Sequence, residues 1–178
     1  GPRLGCCVGV ARLELDRPAD TPVDGRVVAC IGCAAAGEET GPTISPDGST
    51  VAYSTRVNGS WDIYAQRASG RNATPIVSDP QRDEGGAAFS PDGALIAFHE
   101  SDEVGGIFVA GATGESVRRV TDIGFDPAWS PDGKQIAFGT EEIADPASRI
   151  GNSTVQVVDA AGGAVRTLVE GDGVALVQ

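Results

Sequence analysis

The stretch FDPAWSPDGKQIAF, from Phe125 to Phe138, decides the fold, because its centre, Ser130-Pro131-Asp132-Gly133, occurs twice more. It stands in GPTISPDGSTVAY from Gly41 and in GAAFSPDGALIAF from Gly86, so the serines Ser45, Ser90 and Ser130 are spaced by 45 and 40 residues. A reactive serine and acid are not needed in triplicate, whereas a repeat unit needs its turn in every copy. Turn chemistry accounts for the rest of the motif. Pro46, Pro91 and Pro131 preset φ at the second turn position, and Asp47, Asp92 and Asp132 tolerate the third. Gly48, Gly93 and Gly133 then supply the positive φ that a bulged hairpin corner requires.

The flanking residues repeat as well. Six residues after each serine stand Val51, Ile96 and Ile136, followed by Ala52, Ala97 and Ala137 and then by Tyr53, Phe98 and Phe138. Ile44, Phe89 and Trp129 precede the serines, which makes a short strand, a corner and a second strand. A third β-type run follows in each copy, WDIYAQ from Trp61, GGIFVA from Gly105 and STVQVVD from Ser153. The fourth runs are TPIVSD from Thr74, SVRRVTD from Ser116 and AVRTLVE from Ala164, each reached through a turn-rich link. Four short strands in every 40 to 50 residues is the pattern of a β-propeller blade. The expected fold is therefore all-β, a propeller of four-stranded antiparallel blades at 41–85, 86–125 and 126–171, three complete repeats plus partial flanking blades. Residues 1–40 read as the third and fourth strands of a terminal partial blade, and 172–178 as the start of a further one. Such unfinished blades expose ladder groups, so a larger parent chain or completion by a second copy or partner is expected.

The run from Pro127 and Trp129 through the corner to Ile136-Ala137-Phe138, together with DIYAQRASG from Asp62, resembles the TolB-like branch of WD-type propeller repeats. The resemblance covers about 41–170. It implies a rigid binding module, exported to the periplasm or the extracellular space, that presents loops to a protein or peptide. It also implies an alternative: a propeller accessory to a prolyl oligopeptidase-like hydrolase whose catalytic domain this sequence does not contain.

Composition agrees with a loop-rich β fold: 40% of residues are hydrophobic and 21% charged, with 25 Gly and 11 Pro. The net charge of -12 repels phosphate backbones and anionic lipid, which excludes nucleic acid as a partner. No stretch reaches the ~18 apolar residues of a membrane-spanning helix. Every basic residue but Lys134 is arginine, and Ala and Gly abound, which points to a bacterial source. Without an initiator Met or a leader before Gly1, the sequence reads as processed or excised, and Gly1-Pro2 as a tag remnant.

Meander topology sorts the loops onto two ends of the blades. The connections between second and third strands share one end with those from a fourth strand to the next first strand. There the sequence gathers Glu38, Glu39, Asp83, Glu84, Asp122, Asp126, Glu141, Glu142 and Asp145, with Asp102 and Glu103 beside them. Such an acidic face attracts a basic peptide or holds a hard cation, although no Asp-x-Asp-x-Asp-Gly loop specifies calcium. A solvated acidic rim is the plainer reading, no cofactor is required, and calcium is the candidate metal at this face. A metal-assisted propeller enzyme is the third functional class left open. Nucleophilic catalysis finds neither a Gly-x-Ser-x-Gly elbow nor a base other than the lone His99, which reads as a partly exposed strand histidine. The long third-blade loop TEEIADPASRIGN from Thr140 is a candidate binding insertion. Cys6, Cys7, Cys30 and Cys33 cluster near the N-terminus, where pairing of the strands from Gly9 and Gly25 would bring Cys7 near Cys33. Disulfides in an oxidising compartment rank before free thiols and zinc there, with the connectivity open.

Overall fold

The computed structural model describes residues 39–57, 59–69, 72–101, 105–141 and 153–169. These form twelve strands and no helix. The first sheet holds β1 (Glu39–Ile44), β2 (Thr50–Arg56), β3 (Trp61–Arg67) and β4 (Thr74–Val77). The second holds β5 (Glu84–Phe89), β6 (Leu95–Glu100), β7 (Ile107–Gly111) and β8 (Arg118–Arg119). The third holds β9 (Phe125–Trp129), β10 (Gln135–Gly139), β11 (Val155–Asp159) and β12 (Arg166–Val169). Each is a four-stranded antiparallel meander in sequence order.

The corner is closed by its own side chains. Ser45 Oγ donates to Asp47 Oδ1 at 2.5 Å and accepts the Thr50 N–H at 2.9 Å, while Asp47 Oδ1 accepts the Ser49 N–H at 3.0 Å. The same bonds recur at Ser90 and Asp92, where Ser90 Oγ donates at 2.6 Å, and at Ser130 and Asp132, at 2.7 Å. Gly48 and Gly93 sit at φ +71° and Gly133 at +69°. Hydroxyl and amide donors favour the ionised acid, so all three aspartates titrate below the usual range, Asp47 at about 2.

A second fixed irregularity lies four residues before each serine. Gly41, Gly86 and Asp126 adopt φ of +59°, +60° and +50°, and the pairing of first to second strand shifts register there. The resulting bulge bends the first strand.

Alternation along the second strand explains the repeated pattern. Ile96 and Phe98 face the first sheet, closing a core with Ala52, Ile63, Ala65 and Val77. Ala97 faces the third sheet and joins Ile107, Val109, Ile136, Phe138 and Val158. Ala52 and Ala97 are wholly buried, and the small side chain at this position lets neighbouring sheets approach. Phe98 stacks on Phe108 with ring centroids 5.6 Å apart. The corners meet across the same seams, since a methyl added to Gly93 would come 3.3 Å from Pro46 Cδ and one on Gly133 3.6 Å from Pro91 Cδ.

His99 departs from the expectation of a partly exposed residue. It follows Phe98, turns to the opposite face of β6, and lies 5% exposed in the seam with the third sheet.

Candidate functional site

The connections between sheets, 78–83 and 120–124, emerge at the end of the blades opposite the Ser-Pro-Asp-Gly corners. Second strands end and third strands begin at that same end, where the described residues are 57, 59–60, 101, 105–106, 140–141 and 153–154. The carboxylates expected there divide into two groups. Asp122, Asp126 and Glu141 are exposed, the Asp122 side chain at 96%, with Arg119 Nε 3.5 Å from its Oδ1. Asp83 and Glu84 are instead used inside the structure. Glu39 is half-buried, and Glu38, Glu142 and Asp145 lie outside the described residues, as do Cys6, Cys7, Cys30 and Cys33 and both flanking partial blades.

Asp83 ties two blades together: its Oδ1 accepts the Trp61 N–H of the first sheet at 2.7 Å, and its carbonyl accepts the Ser101 N–H at 2.7 Å. Glu84 pairs with Glu100 across β5 and β6, and both side chains face the first sheet. Arg82 binds the Glu100 carboxylate and lies 3.6 Å from Asp79. Glu84 itself is 1% exposed, and its Oε2 has no hydrogen-bond partner among the described residues. Burial pushes its acid up to about 8 against an opposing backbone donor from Asp79, and the nearby charges of Asp62 and Glu100 raise it further. Near neutral pH this glutamate carries a proton.

The second and third blades meet at His99. Its Nδ1 accepts the Asp126 N–H at 3.2 Å and lies 3.9 Å from Asp126 Oδ1, so the ring proton sits on Nε2. The ring packs edge-on against Phe125 at 5.4 Å and lies over Gly85 and Gly86, where any Cβ would collide with it. Burial holds the imidazole below its usual range despite the Asp126 carboxylate. Asp126 therefore combines a positive φ, a seam contact and an exposed carboxylate.

The loop-by-loop reading missed Glu100, Asp62 and Arg82. The signal for Glu100 was present, since Ile96, Phe98 and Glu100 share one strand parity and hence one face. Among the described residues no three His, Cys, Asp or Glu side chains converge as a metal-binding group. The arrangement offers a rim of exposed carboxylates outside and a proton-bearing carboxyl within.

Face-packed antiparallel meanders with one loop-bearing acidic end define a β-propeller module. The chain belongs to the TolB beta propeller domain family, whose model matches residues 28–172. It is similar to a putative TolB from Agrobacterium tumefaciens, with 27% identity and a TM-score of 0.66 over 78% of this chain and 51% of that one. TolB from Acinetobacter baumannii matches at 26% identity and a TM-score of 0.60 over 77% of this chain and 33% of that one. The chain thus spans about half of the first of these relatives and a third of the second. The propeller domain of the trilobed protease from Pyrococcus furiosus shares the fold alone, at 17% identity and a TM-score of 0.52 over 75% of this chain and 42% of that one.

Proposed function

We propose that this chain is a non-catalytic TolB-like binding module that engages a basic segment of a protein or peptide through its acidic loop end. One observation carries the reading: the aspartates at the corner end are tied up by serine hydroxyls and turn amides, whereas Asp122, Asp126 and Glu141 at the other end stand exposed. The bulged first strand and the seam contact with His99 hold Asp126 in place, so little ordering of it is needed on binding. The net charge of -12 steers cationic partners toward the chain. The reading carries with it a periplasmic or extracellular location.

Fluorescence anisotropy with a labelled Lys/Arg-rich peptide tests this. The triple variant Asp122→Asn, Asp126→Asn, Glu141→Gln should bind about tenfold more weakly, and wild-type affinity should fall steeply between low and physiological salt as screening grows. Equal affinity of variant and wild type would defeat the assignment of this face.

A further inference from the structure

The two seams are built from equivalent positions, yet they are filled differently. Where the second seam holds Leu95, Arg118 and Trp129, the first holds Thr50, Thr74 and Phe89, each smaller. In the second seam Leu95 and Trp129 pack on the core, Trp129 Nε1 donates to Ala88 O at 3.0 Å, and Arg118 Nη2 reaches Ala160 O at 2.5 Å. In the first seam those three fillers are absent, and a groove of about 800 Å³ opens between the blades at the corner end. Pro46 and Gly93 line it where the two corners approach, and Ala112 and Thr113 line it from the second sheet.

We propose that this groove is a second binding site, which takes an uncharged peptide segment bearing one large apolar side chain. Its volume falls within the ~300–1,000 Å³ of ordinary ligand pockets. Phe89, Ile76 and Ala65 line its apolar part, while Asn72 and Thr74 offer an amide and a hydroxyl suited to main-chain N–H and C=O groups. Charge argues against an ionic ligand. Among the described residues Arg67 is the only cation of the lining, and the two lining aspartates, Asp47 and Asp92, already accept serine hydroxyls and turn amides. A sugar ring would require a flat aromatic platform, whereas a single phenyl set among aliphatic groups forms a pit for a side chain. The site lies at the opposite end of the blades from the acidic rim, so the two are independent.

The test is calorimetry with acetyl-Gly-X-Gly-amide peptides, X being Phe, Leu, Lys or Glu, with maltotriose as the sugar control. Saturable binding is expected for Phe and Leu, at least tenfold tighter than for Lys, Glu or maltotriose. Transplanting the second seam into the first, with Thr50→Leu, Thr74→Arg and Phe89→Trp, should abolish it and leave basic-peptide binding at the acidic rim unchanged. Asn72→Ala, on the exposed rim of the groove, should weaken binding severalfold without a loss of thermal stability, and so covers the case in which the triple variant fails to fold. No saturable binding to wild type, a preference for Glu, Lys or maltotriose, or full binding by a folded triple variant would each overturn the proposal.

Discussion

Glu84 illustrates how a surface-looking acid becomes an internal one. Its neighbours in sequence, Asp83 and Gly85, lie at a blade entrance, but cross-strand pairing with Glu100 turns its carboxyl into the seam. The folded acid titrates at about 8, above its usual 4.5, so the fold favours the neutral form. Its contribution to stability is complete below about pH 4.5 and is lost as pH rises through 8. Urea midpoints should therefore fall between pH 6 and 9, by an amount on the order of 2 kcal/mol in unfolding free energy. Glu84→Gln, which imitates the protonated acid, should remove most of that fall. A parallel decline in wild type and variant would show that other groups govern it. His99 contributes with the opposite sign at the acid end of this window, because burial lowers the folded imidazole while the unfolded one titrates normally, but wild type and Glu84→Gln share that contribution and it cancels in their comparison.

At the level of the element, the corner is set by side chains within six residues, which is why it could be read from sequence. Serine, proline, aspartate and glycine each act on the backbone beside them, and Val51, Ile96 and Ile136 mark the strand that follows. Glycines test this locality. A methyl on Gly48 meets open space at φ +71°, so Gly48→Ala should cost only the left-handed strain, about 1 kcal/mol. A methyl on Gly124 would overlap the Phe138 ring and also adopt φ +124°, so Gly124→Ala should cost clearly more. Thermal denaturation of the two variants provides the comparison, and equal losses would contradict it. Less of the bulge was legible, because Asp126 stands where the other repeats have glycine. Only the superposition of Gly41, Gly86 and Asp126 at one φ reveals the shared bend.

Across the molecule, legibility falls as contacts become more distant. Strand order and blade number among the described residues followed from the repeats, since each meander is local. The division of the acidic rim into exposed Asp122, Asp126 and Glu141, half-buried Asp83 and internal Glu84 did not, because it depends on which face meets the next sheet. The groove was likewise out of reach: Thr50 and Leu95 are visibly different in sequence, but only the packing shows that they fill the same place in successive seams. The same seams carry Pro46 against Gly93 and Pro91 against Gly133, a contact with a direction, proline forward and glycine back. Every corner thus holds both halves of one joint. A blade copied or lost by recombination would still find a matching neighbour on either side, so this joint permits the repeat number to change over evolution without new corner residues.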